Sequence, residues 1–329
     1  MNRSAFSFII ISAMLLAGIF GCAPTPAPVQ PTATAVPPTV TAVLPTATPA
    51  PFPLSVTDSL GRKVGVDQVP ERIVSLAPSV TEILFAVGAG DQVVGVTEYC
   101  NYPTGAATRQ KVGGFTGESM SVERIVALRP DLVLAAGTIH ETVVEVLENV
   151  DIAVVSIDPA NLNEVYESIE LIGRLTGHEE GAAQAVAEMK GRITDVLVRV
   201  ETIPKAGRLT VFWEVWDEPL MTAGPGTFPG QMIELAGGIN IFDDLSGDWP
   251  TVSAEEVLKR NPAVIMAPDK HENKLTLDIL AERPGWGQVA AVRDRRVYLI
   301  DGDIVARPGP RLAEAAVAMA QVLYPDLLK

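Results

Sequence analysis

From Arg72 onward, short runs of β-branched and aliphatic residues alternate with stretches in which apolar positions recur every three to four residues. The first kind of run suits a buried strand and the second an amphipathic helix, so the alternation predicts an α/β chain of βα units with mainly parallel sheets. Strands are expected at 73–76, 93–96, 132–136, 153–157, 209–213, 263–267 and 296–300. Pro78 and Ser79 follow the first strand and lead into a helical pattern over 81–88. Upstream, VTDSLGRKVGV (56–66) reads as a small hairpin turning at Leu60-Gly61. Two helical stretches lie mid-chain, one over 162–175 closed by Thr176-Gly177 and one over 179–201 ended by Pro204. At about 1.5 Å per residue the second could span a small domain, and it reads as a rigid connector between two lobes.

An internal repeat supports that division. SVERIVALRPDLVLA (121–135) aligns without gaps on SAEEVLKRNPAVIMA (253–267), keeping serine, glutamate, proline and alanine in register. Each copy predicts a serine N-cap, a glutamate in the first helical turn, a short helix, a proline-marked turn and a buried strand. A weaker match relates ILFAVG (83–88) to IELAGG (233–238). The spacing is far longer than a solenoid unit, so two similar lobes are expected rather than a repeat array. The boundaries read as an N-terminal lobe at 54–160, connecting helices at 161–203 and a C-terminal lobe at 204–329.

The first 53 residues follow a different pattern. Arg3 precedes an apolar stretch from Ala5 to Gly21 that ends at Cys22, and this resembles the signal of an exported bacterial lipoprotein, with the lipid carried on Cys22. The alternative is an uncleaved signal anchor, for which the run is a little short. Residues 23–53 are almost entirely Pro, Thr, Ala and Val without a charge, which predicts an extended stalk. Together these place the globular part outside the cytoplasm, lipid-anchored to the outer face of the cytoplasmic membrane.

The net charge of −15 and the lack of any Lys/Arg run exclude a nucleic-acid partner. With two cysteines and three histidines, His140, His178 and His271, neither a disulfide framework nor a zinc cluster is expected, and no resident cofactor or metal is assigned. Cys100 reads as a small buried hydrophobe, and His178 and His271 as surface residues.

The segments RIVSLAPSVTEILFAVGAGDQVVGVTEYCNYP (72–103), SVERIVALRPDLVLAAG (121–137) and WPTVSAEEVLKRNPAVI (249–265) resemble the substrate-binding proteins of bacterial ABC importers for cobalamin, haem and iron–siderophores. The vitamin B12-binding branch is the most similar. The resemblance implies two α/β lobes joined by one long helix, with ligand held in the cleft between them and delivered to a permease dimer. It implies ligand contact by Tyr99 and Trp249, and by Phe115 in the matching loop of the other lobe. Trp216, at the end of a strand, and Pro78 and Ser79, at a helix start, are further candidates; capping alone would also explain the last two. Asp303, Arg307 and Arg311 could add polar contacts. Glu123 and Glu255 stand at equivalent first turns, where the helix dipole alone would account for them. The resemblance implies instead that each docks on one permease subunit, with Glu118 and Glu256 as nearby acids that could substitute.

A corrinoid is the leading ligand, since a large ring bearing amide arms needs aromatic and aliphatic walls with few polar groups. Haem or a ferric siderophore is the alternative, with Tyr99 or Tyr102 available to iron. A chelatase-like enzyme is a remote reading, because no catalytic triad context, phosphate loop or dense His/Cys group is present. An adhesive surface module is a third, and it would have no small-molecule cleft.

Overall fold

The hairpin read from residues 56–66 is the first element of the computed structural model, which describes residues 52–269 and 275–327. Cys22, most of the stalk and His271 lie outside the described residues. Strands β1 (Leu54–Thr57) and β2 (Lys63–Val66) pair antiparallel across a turn in which Gly61 takes φ 76°. The buried Asp58 carboxylate accepts the Leu60 and Arg62 amides at 3.0 Å and the Ser156 amide at 3.1 Å, tying the turn to the N-terminal sheet.

That sheet contains β3 (Ile73–Ser75), β4 (Val93–Val96), β5 (Gln110–Lys111), β6 (Leu132–Ala135) and β7 (Val154–Ser156). Its order is β5-β4-β3-β6-β7, parallel throughout. Strands β3, β6 and β7 are buried along their whole length, because parallel strands are covered by helices on both faces. The helices of this half are α1 (Pro78–Val87), α2 (Thr104–Ala107), α3 (Val122–Ala127) and α4 (Glu141–Glu148). Next come α5 (Leu162–Thr176), closed by Gly177 at φ 72°, and α6 (Glu179–Val200), which matches the expected connector.

The C-terminal half contains β8 (Thr210–Asp217), β9 (Leu220–Thr222), α7 (Phe228–Leu235), β10 (Ile239–Asn240), α8 (Ala254–Arg260), β11 (Val264–Pro268) and α9 (Leu277–Glu282). It ends with α10 (Ala290–Arg293), β12 (Val297–Ile300), α11 (Gly302–Ala306) and α12 (Leu312–Leu323). Its sheet runs β10-β8-β11-β12 in parallel, with β9 antiparallel to β8.

The sequence repeat is also a repeat of structure. Ser121 Oγ accepts the Arg124 amide at 3.3 Å and Ser253 Oγ the Glu256 amide at 3.1 Å, so α3 and α8 are capped alike. Each helix leaves through a left-handed residue just before its proline, Arg129 at φ 48° and Asn261 at φ 45°. The strands that follow, β6 and β11, each pair with the first strand of their own parallel sheet, β3 and β8.

One apolar cluster runs through both halves along α6. Ala182, Val186, Met189, Ile193, Val196 and Val200 form a buried stripe at helical spacing. The same cluster takes in Leu84 and Leu134 from the first half and Val211, Met266, Leu312 and Met319 from the second. Separate clusters fill the space beneath α3 and α4 in one lobe and around Phe212, Phe242 and Trp286 in the other. Because α6 is shared by one core, its truncation should weaken both lobes together. Ile193→Ala is expected to cost about 2–5 kcal/mol in urea denaturation while keeping a single transition; separate transitions for the two lobes would contradict a common core.

Candidate functional site

Strand ends create the site. In both sheets the loops that leave the carboxyl ends of parallel strands carry the exposed aromatic and polar side chains, the usual location of ligands in α/β folds. A pocket of about 400 Å³ opens there. Ala77, Pro78 and Ser79 line it from the β3–α1 junction, Tyr99 from the loop after β4, and Phe115 from the loop before α3. Ala136, Thr138 and Ile139 follow β6, and Asp158 follows β7. The opposite wall is Ala306, Arg307 and Pro308, at the end of α11 and in the turn toward α12. Pro78 occupies the first helical position of α1, where its missing N–H costs nothing.

Tyr99 and Phe115 are 56% and 46% exposed, yet their backbones are fixed. Cys100 beside Tyr99 is buried, and its Sγ lies 3.1 Å from Thr81 Oγ1 and 3.2 Å from Thr97 Oγ1. Tyr99 and Phe115 meet edge to face with centroids 6.1 Å apart, presenting a two-ring surface to the cleft.

His140 holds the Phe115 loop from behind. It is fully buried, its Nδ1 lies 2.9 Å from the Ala136 amide and its Nε2 2.9 Å from the Phe115 carbonyl. An amide can only donate and a carbonyl only accept, so the proton sits on Nε2 and the ring is neutral. Burial pushes its pKa down, against the pull of the Phe115 carbonyl and Asp158. Asp158 is shifted up, by burial and by the charge of Glu164, with His140 opposing.

A buried ionic clamp joins the two walls. Glu82, on α1, receives Arg311 Nε and Nη2 at 2.8 and 2.7 Å and Arg307 Nη1 at 2.8 Å. Arg307 also donates to Asn101 Oδ1 at 2.8 Å and to the Tyr99 carbonyl at 3.3 Å, and pairs with Asp303 at 2.9 Å. Arg307 thus faces the pocket with its guanidinium already committed. Arg311 stacks over Tyr102 at 4.2 Å, and both line a second groove against α6 rather than the pocket.

Trp216 and Trp249 do not line the pocket. Trp216 ends β8, two places across the sheet from β12, and its Nε1 donates to the Glu218 carbonyl at 2.9 Å. The loop carrying Trp249 lies along β9, through Thr222 N to Pro250 O at 3.1 Å, Gly224 N to Asp248 O at 2.7 Å and Val252 N to Leu220 O at 2.9 Å. Both indoles are exposed on that ribbon at the carboxyl end of β8, whereas Trp213 is in the core. Glu123 and Glu255 are exposed at the starts of α3 and α8. Glu256 differs, pairing with Arg260 at 2.9 Å and Lys259 at 3.7 Å. His178 is half-buried against the Thr176 carbonyl at 2.8 Å. Among the described residues no His, Cys, Asp and Glu group is arranged to hold a metal, and no helix is long and apolar enough to cross a membrane.

Sequence reasoning did not single out His140, Asp158 or Glu82. The lone histidine near Gly137 carried no motif, and Glu82 read only as a polar position of an amphipathic helix.

Residues 73–304 match the family model described as periplasmic binding protein. An uncharacterized ABC transporter substrate-binding lipoprotein of Bacillus subtilis is 37% identical over 287 residues, covering 84% of this chain and 88% of that protein. The periplasmic vitamin B12-binding protein BtuF of Vibrio cholerae superposes with a TM-score of 0.66 at 27% identity, over 79% of this chain and 99% of that one. The periplasmic haem-binding protein RhuT of Roseiflexus gives 0.69 at 26% identity, over 78% and 99%.

The His140 geometry has a pH signature. Its folded pKa lies below the ordinary imidazole value of about 6.5, so the unfolded chain binds the proton first. The stability it contributes is fully present above about pH 6.5 and is lost as pH falls through the depressed folded value. Between those values, thermal or urea denaturation should show a loss of up to about 1.4 kcal/mol per pH unit, and His140→Gln should remove this part of the slope. An unchanged slope in the variant would assign the acid sensitivity elsewhere.

Proposed function

Since the chain belongs to the periplasmic binding protein family and is a substrate-binding protein of an ABC importer, we propose that its cleft captures a corrinoid, cobalamin or a close relative, outside the cell. The observation that carries this reading is the Tyr99–Phe115 pair facing a pocket whose cation, Arg307, is already committed. A flat macrocycle with neutral amide arms suits aromatic walls, hydroxyls and backbone amides better than it suits free charges. Ser79 and Thr138 supply hydroxyls in the same pocket. A corrinoid outgrows 400 Å³, and the remainder would extend toward the exposed Trp216 and Trp249. Similarity to the vitamin B12-binding protein supports the same ligand.

Haem is the competing ligand, and similarity to the haem-binding protein speaks for it. The side chains offered to iron are few. Among the described residues both ring nitrogens of His140 are bonded to backbone and Tyr102 lies under Arg311, which leaves Tyr99 and the Asp158 carboxylate in the pocket. Titration of the chain with cyanocobalamin, hemin and a ferric siderophore, followed by visible absorption and calorimetry, decides between them. Cyanocobalamin should bind, and Tyr99→Ala or Trp249→Ala should each weaken it by about 1–3 kcal/mol. Tight hemin binding without cobalamin binding would overturn the corrinoid reading.

Delivery in this reading uses Glu123 and Glu255, two exposed acids at equivalent places on two similar lobes, against a two-fold permease. Lipid on Cys22 and the stalk of 23–53 would hold the lobes near that permease on the outer face of the cytoplasmic membrane. The lobes themselves correspond to 54–160 and 204–329, joined through 161–203. In vesicles containing the permease, Glu123→Ala combined with Glu255→Ala should abolish uptake and leave ligand affinity unchanged; normal uptake by the double variant would remove the docking role.

A further inference from the structure

One ionisable group in the pocket has no use in the reading above. Asp158 extends from the end of β7 into the cleft, and no hydrogen bond or ion pair reaches its carboxyl among the described residues. The backbone makes room for it. Gly137 adopts φ 51°, and a Cβ there would lie 2.1 Å from Asp158 Oδ2. The carboxyl therefore rests against a stretch of bare main chain, beside Ala136 and Thr138 of the same wall.

The cation lining this pocket among the described residues, Arg307, already meets two anions and cannot compensate a further one. Its Nη1 serves Glu82 and Asn101 at 2.8 Å each, and its Nη2 serves Asp303 at 2.9 Å and the Tyr99 carbonyl at 3.3 Å. A ligand carboxylate entering here would meet the Asp158 charge with no counter-ion, at a distance where like charges repel strongly in a partly dehydrated cleft. A ligand amide would meet an acceptor for its N–H and lose nothing.

We propose that Asp158, seated against Gly137, is a specificity-determining residue that admits macrocycles with amide or ester arms and rejects those with carboxylate arms. This rests on the ligand-binding reading of the cleft and names the chemistry that the cleft accepts. Lengthening or moving the carboxyl would blunt the selection, and Gly137 fixes where it sits.

The test compares the native chain with Asp158→Asn, nearly the same in shape and exposed, so that folding is not at issue. The probes are cyanocobalamin and a monocarboxylate made by hydrolysing one of its peripheral propionamides, titrated calorimetrically at neutral pH. The native chain should bind the amide roughly ten-fold more tightly than the acid, and Asp158→Asn should bring the two to about the same affinity, chiefly by tightening the acid. Equal binding of both by the native chain, or an unchanged ratio in the variant, would overturn the role of Asp158. If neither corrinoid binds the native chain, the corrinoid reading falls, and hemin with its dimethyl ester replaces the pair. A preference for the ester that Asp158→Asn abolishes would uphold Asp158 as the selector, and equal binding of the two would overturn it.

Discussion

A single carboxylate, that of Glu82, fixes the relation between the two walls of the cleft. It is withdrawn from water on α1, in the N-terminal half, and is met by Arg307 and Arg311, which end α11 and precede α12 in the other half. Removing one partner of such a buried group leaves uncompensated charge, which typically costs about 3–5 kcal/mol. The clamp ties α1 of one half to the start of α12 in the other, and the apolar stripe of α6 joins the same two halves through a common core. Two separate attachments, one ionic and one apolar, oppose wide hinge motion, because opening would expose both the shared core and the ion cluster. The clamp also sets the chemistry. With Asp303, Glu82 takes up the charge of Arg307 and turns what would be an anion-binding wall into one without a free cation, against which the charge of Asp158 stands out.

Much of the scaffold was legible in the residues, because long-range order here is written as short-range pattern. The strands β3, β4, β6, β7, β11 and β12 sit within a residue or two of their β-branched runs, since a strand buried on both faces, as β3, β6 and β7 are, has to be apolar along its length. The connector was legible from the spacing of Ala182, Val186, Met189 and Ile193, and the two-lobe plan from the gapless repeat of Ser121 and Ser253. β5 and β10 are two residues long and β9 three, too short to show an alternation. β8 runs past its expected end to Asp217 because β9 folds back on it, a pairing that no local pattern announces.

The site was less legible, for a reason of the same kind. Tyr99, Phe115, Pro78 and Ser79 come together in one pocket, and each lies directly after a strand or at a loop whose place the pattern fixes. Trp216 and Trp249 share the exposed ribbon of β9 instead, since the loop 248–252 is hydrogen-bonded to that strand. Groups that act at long sequence separation left no trace. Glu82 meets Arg311 across 229 residues and His140 meets Phe115 across 25, and nothing in either local sequence marks a partner.

The helices that carry Glu123 and Glu255 begin where their sheets end. In a parallel crossover the helix runs against its strands, so its first turn returns to the carboxyl edge of the sheet. α3 leads from β5 into β6 and α8 from β10 into β11, both through such a crossover. The two acids therefore lie along the same carboxyl edge as the pocket lined by Tyr99, Phe115 and Arg307. A partner that grips the acids would stand over the cleft, and ligand leaving it would pass into that partner rather than back to solvent. Because this edge is a consequence of parallel βα topology, the pocket and the two acids share one surface by construction, and the repeat that makes the lobes alike also sets the acids at equivalent positions.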